Sequence, residues 1–145
     1  MRVYIWCDGA AMPNPGPAGA GYVVVGDGVR LLGSEALGVA TNNVAEYTAI
    51  RNALRAAADA GATSAHVRMD SQVVFGHLSG ASRARDEHLI QLKEEVEEQK
   101  ARYKKGGVRF ARIRREQNGV ADQLAKDGAR ASKTRSADRR RYVPR

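Results

Sequence analysis

The sequence predicts one α/β domain: a mixed β-sheet with helices available for both faces. Three observations lead there. Three strand-like runs come first and are joined by short turns. Stretches of helical periodicity then alternate with two further strand-like runs. The 145 residues, 43% hydrophobic with 15 glycines, are enough for a single domain with its own core.

The first run, Arg2-Val3-Tyr4-Ile5-Trp6-Cys7, predicts a strand that ends at Asp8. Met12-Pro13-Asn14-Pro15-Gly16-Pro17 excludes regular structure, because proline lacks an amide donor and restricts its predecessor. Residues 21–25 read as a second strand, Asp27-Gly28 as a tight turn and residues 29–39 as a third strand, together an antiparallel meander. Thr41-Asn42-Asn43 supplies N-cap chemistry for a helix with Tyr47, Ile50, Leu54 and Ala57 at helical spacing and Gly61 as its stop.

Residues 64–69 form a fourth strand, expected parallel to the first through a right-handed crossover. Ser71 caps a short helix carrying Val74 and Leu78. From Asp86 a long helix puts Leu89, Leu92, Val96 and Tyr103 on one face and Glu94, Glu95, Glu97 and Glu98 outside. Gly106-Gly107 ends it, residues 108–113 are a fifth strand, and Asn118 opens a final helix. There is no internal repeat and no second domain.

Bulk properties exclude several classes. No apolar stretch is long enough to span a membrane, and no secretory signal pattern is present. Cys7 is alone, so no intrachain disulfide forms and a reducing, cytoplasmic setting is expected. Its strand position predicts a small buried side chain rather than a nucleophile. Tyr4 and Trp6 share a face of the first strand, which predicts core packing. His66, His77 and His88 are expected to be solvated or hydrogen-bonded.

The net charge is +8, but residues 131–145 carry six basic side chains against Asp138, which leaves the body at only +3. The domain is therefore read as residues 1–130 and residues 131–145 as a basic, mobile tail. The tail either solubilises the protein or attracts phosphates without reading sequence.

Four acidic residues carry the chemistry. Asp8 and Asp70 end strands expected to be neighbours, Glu46 lies near the sheet-facing stripe of the first helix, and Asp122 falls in the first turn of the last. Three have an ordinary alternative: a turn with Gly9 for Asp8, a helix cap for Asp70, the helix dipole for Asp122; Glu46 is the hardest to explain structurally. Together, converging at one sheet edge, they suggest a shared hard cation such as Mg²⁺, since unpaired carboxylates are costly to bury.

Asp8-Gly9-Ala10 with Asn14-Pro15-Gly16-Pro17, Thr41-Asn42-Asn43 with Ala45-Glu46, Asp70-Ser71-Gln72, and Asn118-Gly119-Val120-Ala121-Asp122 follow one another in that order. In these segments, spread over residues 2–130, the chain resembles the type 1 ribonuclease H family. The resemblance implies a five-stranded sheet of order 3-2-1-4-5. It implies a metal-dependent endonuclease that hydrolyses the RNA strand of RNA–DNA hybrids, leaving 5′-phosphate and 3′-hydroxyl ends; a monomer is expected. Asp8, Glu46, Asp70 and Asp122 match the family's metal-binding carboxylates, with two Mg²⁺ ions implied and Mn²⁺ as a substitute. Asn14, Thr41, Asn42, Asn43 and Gln72 fall on hybrid-contact positions.

Two features depart from the family's larger members. A basic loop between the second and third helices is missing, with Arg83 and Arg85 the only charges in residues 79–85. Arg114-Arg115-Glu116-Gln117 stands where many members carry a histidine. The rival readings are a non-catalytic hybrid-binding module, a DNA resolvase or exonuclease of the same superfamily, and a phosphotransferase. An intact set of four carboxylates disfavours the first, Thr41-Asn42-Asn43 with Gln72 the second, and the lack of a Gly-rich phosphate loop the third.

Overall fold

The computed structural model describes residues 1–141, with side-chain surroundings through Lys133. Its elements run β1 (Arg2–Ala11), β2 (Gly16–Gly26), β3 (Val29–Ala40), α1 (Asn42–Asp59), β4 (Ser64–Met69), α2 (Gln72–Ser79), α3 (Glu87–Lys100), β5 (Val108–Arg112) and α4 (Gly119–Arg141). A short 3₁₀ turn, Arg115–Gln117, precedes α4. The strands form one sheet in the order β3-β2-β1-β4-β5, antiparallel across β1–β2–β3 and parallel across β1–β4–β5. This is the implied topology.

The core lies on one face of the sheet. Val3, Ile5 and Cys7 of β1 and Ala65, Val67 and Met69 of β4 alternate inward and meet Tyr47, Ile50 and Leu54 of α1 with Leu92 and Val96 of α3. On the opposite face α4 packs across β2, β3 and β1. Gly21 makes that approach possible, because a Cβ there would collide with the α4 backbone at Ala121 and Ala125.

Several sequence expectations are corrected. β1 continues past Asp8 to Ala11 and β2 begins at Gly16, so the proline segment is only a short connection. Pro17 is tolerated near the start of its strand, beside the bulge at Ala18/Gly19. Tyr103 lies beyond α3 rather than on it, and is buried with its hydroxyl donating to the Leu54 carbonyl at 2.7 Å.

Tyr4 and Trp6 are not core residues: Tyr4 is 36% exposed and Trp6 half-buried. Their half of the sheet face is the part that α4 leaves largely open.

The last helix passes residue 130 without a break. Ser132 is buried, donates to the Ala18 carbonyl at 2.6 Å and accepts from the Gly38 amide at 3.0 Å. The structured body therefore includes at least Ser132. The expected arm centred on Arg139-Arg140-Arg141 involves side chains outside the described ones.

Candidate functional site

Parallel pairing of β1 and β4, with Trp6 opposite Arg68, sets Asp8 and Asp70 side by side at the carboxyl ends of the two central strands. Glu46 reaches them from α1. A Cβ at Gly9 would overlap the backbone of Ala45 and Glu46, so this glycine lets the helix come down onto β1. Thr41 fixes the helix start, its Oγ1 accepting from the Val44 amide at 3.2 Å.

One carboxylate oxygen each from Asp8, Glu46 and Asp70 lies within 4.8 Å of the others. Asp8 and Glu46 are both buried, and Glu46 Oε2 has no hydrogen-bond partner. An all-oxygen set with an orphaned buried acceptor is what a hard divalent cation requires. Burial raises the Asp8 carboxyl to about 7, and the neighbouring Asp70 and Asp122 charges add to the shift. Burial, with Asp8 beside it, pushes Glu46 well above the usual carboxylate range.

Asp122 stands beside this group rather than within it. Burial pushes its carboxyl up, but hydrogen bonds with Lys126, whose Nζ lies at 3.0 Å, and with Asp8 reverse the effect and hold it below the ordinary value. The structure thus brings three of the four expected carboxylates together and sets the fourth at their edge, between Asp8 and a lysine one helical turn away.

Asn118 was not among the candidate side chains. It is buried, and its Nδ2 donates to Asp70 Oδ2 at 2.9 Å and to the Cys7 carbonyl at 2.8 Å. The available signal was its place at the head of the segment that carries Asp122.

The five expected contact residues divide. Thr41 is the cap already described. Asn42 Oδ1 accepts from the Ala11 amide at 2.7 Å, and Asn14 Oδ1 accepts from the Asn42 amide at 3.0 Å, so both tie the proline connection to the head of α1. Asn43 and Gln72 make no side-chain hydrogen bond within the described residues, which leaves their amides open to a ligand. Gln72 is exposed at the start of α2, two residues beyond Asp70.

A family profile described as reverse transcriptase-like matches residues 6–128. The crystal structure of RNase H1 from Halobacterium salinarum superimposes with a TM-score of 0.82 at 38% identity, covering 88% of this chain and 97% of that one.

The chain belongs to the type 1 ribonuclease H family.

The N-terminal RNase H domain of a Mycobacterium tuberculosis protein is similar at a TM-score of 0.87 and 34% identity, covering 93% of this chain and 98% of that chain. The corresponding full-length mycobacterial relative, described as bifunctional, is 36% identical over 91% of this chain, which spans only 36% of its length. A ribonuclease HI of Halobacterium salinarum is 48% identical over 61% of this chain and 45% of its own length. The ribonuclease H fold is therefore common to all of them, while this chain spans about a third of the mycobacterial proteins it matches.

Proposed function

We propose that this chain is an endoribonuclease that hydrolyses the RNA strand of RNA–DNA hybrids with divalent metal ions, Mg²⁺ foremost and Mn²⁺ as a substitute, giving 5′-phosphate and 3′-hydroxyl ends. The observation that carries the reading is the trio Asp8, Glu46 and Asp70, whose oxygens converge within 4.8 Å around an unpartnered buried acceptor. A relative of 31% identity and TM-score 0.81 has been solved in complex with an RNA/DNA hybrid, which supports the choice of substrate.

Asp8, Glu46 and Asp70 would hold the ions, with Asp122 contributing once it leaves Lys126. Bound there, a pair of divalent ions supplies charge neutralisation at the phosphoryl oxygens and at the attacking and leaving oxygens. The protein's own groups do the rest. Asn118 fixes the Asp70 carboxylate against β1. Asn43 and Gln72 present amides that both donate and accept, as base edges and 2′-hydroxyls of a shallow minor groove demand. Asn14, Thr41 and Asn42 hold the connection and the head of α1 in the shape that presents them. Recognition by shape and 2′-hydroxyl gives no sequence code.

The free, buried Cys7 thiol suits a reducing compartment such as the cytoplasm. Among the described residues no helix is long and apolar enough to cross a membrane. The enzyme is proposed to act as a monomer, which light scattering at working concentration checks.

The deciding assay compares a labelled hybrid with duplex RNA, duplex DNA and each single strand, in Mg²⁺, in Mn²⁺ and with chelator. Cleavage confined to the RNA strand of the hybrid and abolished by chelation is the expected result. Metal-independent cleavage, or equal cleavage of duplex DNA, would overturn the reading.

A further inference from the structure

The part of the sheet that α4 leaves open carries a second concentration of charge. Arg2 and Tyr4 on β1, Ser64 and His66 on β4, and Arg109 on β5 line a recess of about 290 Å³, with Lys104 of the loop before β5 also in its lining. Register explains the cluster: Arg2 pairs with Ser64, Tyr4 with His66, and His66 with Arg109. No aspartate or glutamate lines the recess. Among the described residues Arg2, Lys104 and Arg109 form no ion pair, so their mutual repulsion is uncompensated.

Next along the same face, the Arg68 guanidinium lies over the rings of Tyr4 and Trp6, at 5.1 and 4.8 Å from their centroids. Burial, followed by the charges of Arg68, Arg109 and Arg2, holds His66 below its ordinary value and so keeps it a neutral hydrogen-bonding group. Arg68 stands two residues from Asp70, so the basic strip starts beside the carboxylate centre. At roughly 3.3 Å per strand residue it reaches His66 after about 13 Å.

A row of unpaired cations invites a polyanion, and flat aromatic and guanidinium surfaces among them suit bases free to unstack. A duplex would offer the strip phosphates alone. We propose that the open face of β1, β4 and β5 binds single-stranded nucleic acid leading away from the carboxylate centre, with a backbone phosphate in the recess formed by Arg2, His66, Lys104 and Arg109. The direction of the strand rests on the hydrolase reading; the binding itself does not.

The test uses the full chain with chelator present, so that nothing is cleaved, and measures fluorescence anisotropy of oligothymidylate and of a blunt hybrid over a salt series. For the Arg2→Gln/Arg109→Gln variant, single-strand affinity is expected to fall about tenfold and the salt slope to drop by about 1.4, the value for two lost phosphate contacts. Blunt-hybrid binding and its metal-dependent cleavage should stay at the parent level. Unchanged single-strand affinity and slope, or an equal loss on the blunt hybrid, would overturn the proposal. Both arginines are exposed, and Lys104→Gln in the adjoining loop repeats the test should the double variant lose its circular dichroism spectrum. A chain that binds single strands in this manner yet cleaves no hybrid would refute the hydrolase reading and leave this site standing.

Discussion

Asn118 ties Asp70 to β1: one amide nitrogen donates to Asp70 Oδ2 at 2.9 Å and to the Cys7 carbonyl at 2.8 Å. The asparagine lies 48 residues from one partner and 111 from the other, at the head of α4. It bolts the last helix to the carboxylate centre and fixes which way Asp70 faces.

Asn118→Ala should therefore lower stability by roughly 1–3 kcal/mol, the cost of leaving buried acceptors unpaired, and reduce kcat more than KM. Asn118→Asp should be worse near neutrality than at acid pH, since it adds a carboxyl to a cluster whose members already resist ionising. Denaturant melts at two pH values check both. An alanine variant with parent stability would deny Asn118 its positioning role.

Asp8→Asn, Glu46→Gln and Asp70→Asn each remove a charge from the converging trio and keep its shape. Cleavage in Mg²⁺ should fall by roughly a thousandfold or more. Without metal, Asp8→Asn and Glu46→Gln should melt higher than the parent at neutral pH, because each replaces a buried carboxyl that must either hold a proton or ionise at a cost with a neutral amide. Asp122→Asn should cost less activity, given its pairing with Lys126. A folded Asp70→Asn protein cleaving at the parent rate would sink the assignment.

The pH dependence of the metal-free protein follows from the raised carboxyls. Asp8 titrates near 7 when folded, against an ordinary 3.8. Its contribution to stability is fully present below about pH 4 and is lost as pH rises through 7. Divalent affinity should climb over the same range as the ion displaces the proton. Calorimetry in two buffers at pH 6 should detect proton release on Mg²⁺ binding, and Asp8→Asn should diminish it.

Asn43→Ala and Gln72→Ala remove amides that bond nothing among the described residues, so KM for hybrid should rise with little change in kcat or melting temperature. Asn42→Ala breaks the 2.7 Å bond from the Ala11 amide and should lower stability by about 1 kcal/mol. If all three variants melt alike and share one KM, the division between binding and scaffolding residues is wrong.

Ser132 predicts where the chain can be shortened. Removing residues 134–145 should leave the melting temperature close to the parent's. Cutting after Arg130 also deletes the Ser132 bonds to Ala18 and Gly38, and should lower it by several degrees. The shorter cut also tests whether the arginines at 139–141 contribute to phosphate affinity, through the salt slope of hybrid binding. Equal melting of both truncations would place Ser132 outside the cooperative fold.

By itself the sequence determined the elements and three of the central carboxylates. Strand alternation and helical spacing are local properties, set by the geometry of each element, so five strands and four helices could be read without knowing where they pack. Asp8, Glu46 and Asp70 were legible jointly, because acid groups converging from two strand ends and an inward stripe are costly to bury without a shared cation. What only the tertiary structure decided depends on where α4 lands. Its placement brings Asn118 onto Asp70 and docks Ser132 past the expected boundary. It also leaves Tyr4 and Trp6 outside the core beneath Arg68, although their alternation in β1 is that of a packed strand. Alternation says that two residues share a face; only the packing of a distant helix decides whether that face is covered.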